Sequence, residues 1–209
     1  MTSMGTRRTL VVGGGIAGMS FAIAARRQGV DVDVVEIEPR VVGVGIFLTG
    51  STLRALDSIG LAHDCVRHGW AVPSLRLHTA DGMLIADNPM PQIAAPDLPA
   101  SCAIRRPTLA AIFAGAAERA GARVRVGITV EAIHDTGRTV QVRFSDGSSG
   151  DYDVLVGADG IYSQVRRLVF GSHLRPVHTG QGSWRFMTPR HPAVDRMLFF
   201  ASEDRKSVV

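Results

Sequence analysis

The residues with the clearest chemical potential lie near the amino terminus, in the segment LVVGGGIAGMSFAIAARRQGVDVDVVEIE, residues 10–38. Three glycines, Gly13, Gly15 and Gly18, follow a short apolar run and precede an alanine-rich stretch. Glycines in this order permit a tight turn, close approach of the backbone to a pyrophosphate, and close packing of a helix on a strand. The segment therefore predicts a dinucleotide site.

The expected pyrophosphate contacts are backbone N–H groups at Ile16 and Ala17, where a helix begins. A helix leaves these groups unpaired, and its start carries a positive partial charge. Glu36 closes the next apolar stretch, where a carboxylate can accept hydrogen bonds from ribose hydroxyls. The alternative is a glycine-rich turn of an α/β protein that binds no nucleotide. The fingerprint alone does not separate NAD from FAD.

The elements that must hold these residues follow from the apolar pattern. Residues 9–12 predict a strand, residues 16–28 a helix with Gly29 just past its end, and residues 30–37 a buried strand. Together they predict a βαβ unit, the setting in which a glycine fingerprint has its specific meaning.

The rest of the chain predicts helices, hairpins and a meander. The predicted helices are 51–59, with Ser51 as its N-cap, then 107–120 and 163–169. The predicted strands are 75–86 (a hairpin turning at Asp81-Gly82), 123–126, the meander 129–135, 139–144 and 149–156, and the pair 184–186 and 197–201. Residues 88–99, rich in proline, predict a loop.

Charge and cysteine usage exclude several classes of protein. The net charge is +4, but the arginines are scattered, so we expect no nucleic-acid partner. The uncharged run from residue 10 to 25 is shorter than the roughly 18 residues of a membrane span, so we expect no membrane partner. Cys65 and Cys102 fit no metal or CxxC pattern, which predicts reduced thiols, a cytoplasmic protein and no metal.

Four stretches together resemble the flavoprotein aromatic hydroxylases, the single-component FAD monooxygenases related to para-hydroxybenzoate hydroxylase. Their order and spacing agree with that family over nearly the whole chain, and the last is the most specific. They are the glycine turn with Glu36, GVGIFLTGSTLRALDSIGL (43–61), IRRPTLAAIF (104–113) and DVLVGADGIYSQVRR (153–167).

The resemblance implies site residues for FAD beyond the glycine turn. It implies that the segment containing Gly45 lies beside the flavin and that Arg106 contacts the phosphate and ribityl region. Asp159 and Gly160 match a motif that serves both FAD and the nicotinamide cofactor. Thr108 stands where the family usually has an acid. Arg166 is a weaker candidate on the helix that follows the motif.

The resemblance also implies an activity: NADH or NADPH and O2 as cosubstrates, and hydroxylation of a small aromatic substrate. The family has no second Rossmann site for the reductant, because the flavin carries the chemistry. No side chain is assigned a catalytic role.

The expected fold class is α/β, a Rossmann-like FAD-binding domain with a β-meander, plus part of a β-sheet substrate domain. We expect the FAD domain at 1–72 and 101–175 and the partial substrate domain at 73–100 and 176–203. The ending DRKSVV, residues 204–209, contains the only lysine and matches one reading frame of a sequencing adapter. It is expected to be non-native, on a truncated chain that is inactive by itself.

Two other functions fit the glycine turn. One is an NAD-dependent Rossmann dehydrogenase, which the segment 153–167 disfavours. The other is a flavin- or nucleotide-binding module without turnover. Flavin absorbance separates the first from a hydroxylase, and NAD(P)H oxidation with a panel of phenols separates the second.

Overall fold

The computed structural model describes residues 7–38, 40–189, 191–202 and 206–208. The helices are α1 (Ile16–Arg27), α2 (Gly50–Ser58), α3 (Ala62–Arg67), α4 (Arg106–Arg119) and α5 (Gln164–Phe170). The strands are β1 (Arg8–Val12), β2 (Asp31–Glu36), β3 (Gly45–Leu48), β4 (Trp70–Ala71), β5 (Ser74–Thr79), β6 (Leu84–Pro89), β7 (Cys102–Arg105), β8 (Arg123–Val126), β9 (Val130–Asp135), β10 (Val140–Phe144), β11 (Ser149–Tyr152), β12 (Val154–Gly157), β13 (Met197–Ala201) and β14 (Lys206–Val208).

The chain divides into two compact units, and the first comprises Met1–Val41 and Ala110–Ser183. Its main sheet is parallel, in the order β12-β1-β2-β8, and the antiparallel meander β11-β10-β9 forms a second sheet. Strand β1 contains a continuous apolar run from Leu10 to Val12, as a parallel strand buried on both faces requires, whereas β2 alternates acidic and apolar residues from Asp31 to Val34. One core joins both sheets and α5, and its buried members are Leu10, Val12, Val35, Ile128, Val130, Val142, Phe144, Tyr152 and Val165.

The second unit comprises Val42–Leu109 and Trp184–Val209. It contains the small sheet β3-β7-β4 and the sheet β14-β13-β5-β6, in which β13 runs parallel to β5. Arg196 stabilises that parallel pair, because its guanidinium donates to Ser74 Oγ at 3.2 Å and to Asp87 Oδ2 at 3.3 Å.

A charged cluster stabilises the parallel sheet of the first unit near the amino ends of its strands. Asp33 is buried, and its two carboxylate oxygens accept hydrogen bonds from Arg8 at 2.7 Å and Arg123 at 2.6 Å. Burial tends to raise the pKa of Asp33, but the bonds from Arg123 and Arg8 outweigh it and hold that pKa below its ordinary value. Burial and the Asp33 carboxylate raise the pKa of Tyr152 to about 12.

The βαβ unit, the hairpin at Gly82, the helix at 107–120 and the meander are confirmed to within a few residues. Several details are wrong. The N-cap of α2 is Thr49, whose Oγ1 accepts from the Thr52 N–H, and not Ser51. The predicted loop at 88–99 loses its first two residues to β6. Residues 184–186 form no strand, and Trp184 is 97% exposed.

The predicted strand 149–156 is in fact two strands in two sheets. Tyr152 pairs with Val140 in the meander, and the Asp153 N–H then donates to the Arg8 carbonyl at 2.9 Å. The chain thereby leaves the meander and continues as β12, the parallel partner of β1.

The division into units differs from the expected domain boundaries chiefly in placing residues 42–72 with the second unit. The domain assignment stays a prediction. So does a non-native tail: residues 204, 205 and 209 lie outside the described part of the chain, and residues 206–208 form β14. None of the described helices has the length and apolar character needed to cross a membrane.

Candidate functional site

The glycine turn connects the carboxyl end of β1 to α1. Gly13 has φ +109°, in the region that glycine adopts without strain, and its N–H donates to the Val35 carbonyl at 2.8 Å. A Cβ added at Gly13 would lie 2.4 Å from the Ala158 oxygen, and one at Gly18 would lie 1.9 Å from the Gly13 oxygen. Protein atoms therefore explain why glycine is needed at Gly13 and Gly18.

Gly15 is different, because protein atoms leave it free space. A Cβ added there would meet nothing within 4 Å. Gly15 is the N-cap of α1, no side chain caps this helix, and its first turn contains no acidic residue. The helix start that includes Ile16 and Ala17 thus offers N–H groups and a positive dipole end to an external anion.

Glu36 lies beside this turn, at the end of β2. One carboxylate oxygen accepts the Gly14 N–H at 2.6 Å and the other accepts the Glu38 N–H at 2.8 Å. A Cβ at Gly14 would come within 2.9 Å of the Glu36 Cβ. The carboxylate is therefore held against the glycine turn, and its assignment as a ribose ligand stays a prediction.

The predicted residues Asp159 and Gly160 lie next to the same turn. Strands β1 and β12 are parallel neighbours, and the Ala158 N–H donates to the Val12 carbonyl at 2.7 Å. Strand β2 lies on the other side of β1, so the carboxyl end of β1 is the point where the strand order reverses. In open α/β sheets, ligands bind at this point.

The carboxylate of Asp159 is occupied by α5. Oδ2 accepts the N–H groups of Gln164 at 2.6 Å and Val165 at 3.0 Å, and Oδ1 accepts the Ser163 hydroxyl at 2.6 Å. Ser163 Oγ in turn accepts the Arg166 N–H at 2.9 Å. Asp159 and Ser163 therefore cap α5 together, a role that sequence reasoning missed although Asp and Ser before a helix are its usual signal.

Arg166, the weaker candidate, is bound to backbone. Its guanidinium donates to the Ile161 carbonyl at 2.7 Å and to the Leu174 carbonyl at 3.1 Å. Arg166 therefore connects the residues that precede α5 with those that follow it.

The second unit contains the other two predicted residues, Gly45 and Arg106. Gly45 opens β3 and pairs with Arg105 of β7, while the Arg106 N–H donates to the Val44 carbonyl at 2.8 Å. Gly43 has φ +140°, and a Cβ there would lie 2.9 Å from the Arg106 Cδ. Within the described residues, the exposed Arg106 guanidinium has no hydrogen-bond or ion-pair partner, so it is available to an anion.

The two cysteines are buried, and burial changes the reactivity of their thiols. Cys65 and Cys102 are buried free thiols, and burial raises the pKa of both, that of Cys65 to about 11. A thiol with a raised pKa is a weak nucleophile. The described residues include no group of three His, Cys, Asp or Glu side chains that could hold a metal ion.

The first unit therefore fits a dinucleotide: a sterically open glycine, an uncapped helix start and a fixed carboxylate lie at the point where the strand order reverses. A comparison with protein-family models decides which one. Residues 6–189 match the FAD binding domain family. The chain belongs to this family of FAD-binding domains.

Two curated relatives of this chain are, by name, a synthase and a monooxygenase. The chain is 34% identical to the 2-heptyl-3-hydroxy-4(1H)-quinolone synthase of Pseudomonas aeruginosa, over 86% of this chain and 46% of that protein. It is 30% identical to the 3-amino-4-hydroxybenzoate 2-monooxygenase of Streptomyces cremeus, over 87% of this chain and 46% of that protein. The chain thus spans about half the length of the curated relatives it matches.

A solved structure shows the same fold. The crystal structure of CtdE in complex with FAD aligns with 97% of this chain and 53% of its own, with a TM-score of 0.79 at 22% identity. The predicted fold class and the predicted cofactor, FAD, are confirmed.

Proposed function

We propose that this FAD-binding domain belongs to a monooxygenase that uses NADH or NADPH and O2 to hydroxylate a small aromatic substrate. The observation that carries the proposal is the uncapped start of α1 beside the sterically open Gly15. Membership in the FAD binding domain family and the names of two relatives, which describe a hydroxylated quinolone and an aminohydroxybenzoate, support it.

Each predicted site residue receives a role in this proposal. Gly13 and Gly18 shape the turn. The backbone N–H groups at Gly15, Ile16 and Ala17 face the pyrophosphate. The carboxylate of Glu36 accepts hydrogen bonds from the ribose hydroxyls. Because the carboxylate of Asp159 is bonded to α5, Asp159 acts by positioning the backbone at Gly160.

Arg106 and Gly45 receive two further roles. Arg106 binds phosphate oxygens through its unpaired guanidinium, and the segment at Gly45 lies beside the isoalloxazine. Bound FAD supplies hydride acceptance and oxygen activation; the chain binds and orients it.

We also propose a cytoplasmic location, which the two free buried thiols support, since free thiols are typical of reducing compartments. The test is fractionation of the source cells. Recovery of the protein in the periplasmic or extracellular fraction would contradict the proposed location.

The test of cofactor binding uses the chain of residues 1–209 titrated with FAD and followed by flavin fluorescence. Glu36→Ala removes a charged acceptor of ribose hydroxyls, a bond worth about 1.5–3 kcal/mol, so affinity falls tenfold or more. Glu38→Ala, two residues away, is the matched control and leaves the affinity unchanged. Equal affinity of the Glu36→Ala and parent chains contradicts the ribose assignment.

Arg106 is tested against its neighbour. Arg106→Ala weakens FAD binding about tenfold, while Arg105→Ala has a smaller effect, because an arginine bound to phosphate contributes about 1.5–3 kcal/mol. The reverse order of the two effects would show that the motif assignment is off by one residue.

The reaction itself is tested by NAD(P)H oxidation and product analysis with a panel of phenols and hydroxylated N-heterocycles, using the gene's complete product. A hydroxylated product supports the proposal. Flavin binding without any substrate-dependent oxidation favours a binding module, and NAD(P)H chemistry without flavin favours a dehydrogenase.

A further inference from the structure

Gly14 and Gly15 are adjacent residues of the glycine turn, but their surroundings differ. A Cβ added at Gly15 would meet no protein atom within 4 Å. A Cβ added at Gly14 would lie 2.9 Å from the Glu36 Cβ, 3.3 Å from the Glu36 Cγ and 3.2 Å from the Met19 Cε. The space beside Gly14 is therefore filled by the protein itself, and chiefly by the side chain of Glu36.

Backbone conformation does not explain the glycine at position 14. The φ angle of Gly14 lies outside the left-handed region, whereas that of Gly13 is +109°. A residue with a side chain would therefore meet no penalty from φ at position 14. The closest obstacle to such a side chain is the Cβ of Glu36, which is attached to the backbone of β2 and cannot swing away as the end of a flexible side chain can.

The carboxylate of Glu36 is fixed at both of its oxygens. One oxygen accepts the Gly14 N–H at 2.6 Å, and the other accepts the Glu38 N–H at 2.8 Å. A carboxylate has about four lone-pair positions, so each oxygen retains one for a further donor. Gly14 thus acts on Glu36 in two ways: its N–H binds the carboxylate, and its missing side chain leaves room for Glu36 to approach.

A carboxylate held in this way is ready to accept hydrogen bonds from two neighbouring hydroxyl groups. Neither oxygen has to be reoriented when a ligand arrives, so binding loses little side-chain entropy. The two O–H donors of a vicinal diol, such as that of a ribose, suit two acceptor oxygens that are held side by side.

We propose that Gly14 is a positioning residue of the nucleotide site, which acts through Glu36 and determines how strongly the site prefers a nucleotide that has ribose hydroxyls over one that lacks them. The inference rests on the proposed role of Glu36 as the acceptor of ribose hydroxyls. It assigns a role to a residue that stands between the first two glycines of the fingerprint, where the pattern specifies no residue type.

The experiment measures the dissociation constants of two probes for the chain of residues 1–209 by titration calorimetry. The probes are ADP and its dideoxy analogue, which keeps the adenine and the pyrophosphate but lacks both ribose hydroxyls. The parent chain should bind ADP at least about tenfold more tightly than the analogue, because Glu36 is a charged acceptor.

Gly14→Ala should reduce this preference to less than about threefold, because its Cβ displaces the Glu36 carboxylate and the bonds to the hydroxyls are lost. The affinity for the dideoxy analogue should be unchanged. Gly15→Ala is the matched control: its Cβ enters the space expected for the pyrophosphate, so it should weaken both probes by the same factor and keep the preference for ADP.

Two results for Gly14→Ala would overturn the proposal. One is the full preference of the parent chain for ADP. The other is an equal loss of affinity for both probes, since the substitution then distorts the whole turn and does not act through Glu36. Equal binding of the two probes by the parent chain would overturn it too, and would contradict the ribose role of Glu36 at the same time.

Glu36→Asp provides an answer even if Gly14→Ala does not fold. It keeps the charge, adds no atom to the turn and withdraws the carboxylate by one methylene from the Gly14 N–H. The preference for ADP should again fall below about threefold. A Glu36→Asp chain with the full preference of the parent would show that the bond to Gly14 is unnecessary, and the proposal would be wrong.

Discussion

Helices α1 and α5 begin in equivalent places, each following one of two adjacent parallel strands, but their first turns are completed in opposite ways. At α5, Asp159 and Ser163 supply acceptors to three backbone N–H groups. At α1 no side chain caps the helix, and Gly15 leaves open space in front of it. The difference leaves the first N–H groups of α1 available to a ligand, which is what the proposed role of the glycine turn requires.

The comparison also divides the family motifs into two kinds of residue. The glycine turn leaves space and unpaired N–H groups for a ligand, whereas the carboxylate of Asp159 accepts hydrogen bonds from α5 of the same chain. A motif residue can therefore be required by a cofactor site without touching the cofactor.

The largest effect is expected where the turn is packed against protein. Gly18→Ala places a Cβ 1.9 Å from the Gly13 oxygen, and such overpacking against backbone costs about 3 kcal/mol. The melting temperature should fall by about 6–12 °C. Gly15→Ala is the matched control: it should keep the melting temperature and weaken FAD binding. A stable Gly18→Ala protein would show that the turn is less tightly packed than described.

A somewhat smaller effect is expected at the capped helix. Asp159→Ala leaves three donors without their acceptor and should lower the free energy of unfolding in urea by about 2 kcal/mol. Asp159→Asn, which retains one acceptor oxygen, should lose about half as much. If stability is unchanged while FAD affinity falls, Asp159 binds the cofactor directly and the contrast with α1 fails.

The capping bond of α5 can be compared with a side-chain bond inside α1 by two serine-to-alanine substitutions. Ser163→Ala removes the acceptor of the Arg166 N–H and should cost about 1 kcal/mol in urea unfolding. Ser20→Ala, within α1, removes only a bond from its hydroxyl to the Ile16 carbonyl and should cost a few tenths. Equal costs would mean that Ser163 is not acting as a cap.

The smallest effect is expected near the amino ends of β1, β2 and β8. There the ion pairs of Asp33 stabilise the sheet, at the opposite end of the strands from the glycine turn. The pKa of Asp33 is depressed below 3.8, so its contribution to stability is present at neutral pH and is lost as the pH falls through the folded-state value. Because both arginines are about half exposed, the loss should be under about 1 kcal/mol. In Asp33→Asn, the free energy of unfolding plotted against pH should lose the decline that the parent protein shows below pH 3.8. The affinity for FAD at neutral pH should be unchanged.

Local patterns predicted the parts of the fold that are formed by neighbours in sequence: the βαβ unit, the hairpin at Gly82 and the meander. They missed β3, β4 and β7, because these strands have only two to four residues and pair with distant partners. They also merged β11 with β12, since nothing local at Asp153 marks a change of sheet.

For the candidate site, the residue types and their local geometry could be predicted, while their roles stay predictions. The glycines and Glu36 follow a fingerprint whose geometry is local, and the structure places them together at the end of β1. The capping of α5 by Asp159 was missed although Asp and Ser before a helix are its usual signal, because the resemblance assigned Asp159 to the cofactor site.

The contact between Gly13 and Ala158 has a consequence for biosynthesis. Strand β1 pairs with β12, so Thr9 meets Val154 only after most of the chain has been made. At about 5–20 residues per second, the ribosome needs roughly 7–30 s to make the intervening residues. During that interval one edge of the nascent β1 is unpaired, and Ala158 and Asp159, which pack beside Gly13, have not yet been made. Capture of FAD should therefore be a late event in synthesis, and chaperones that shield strand edges should bind before it.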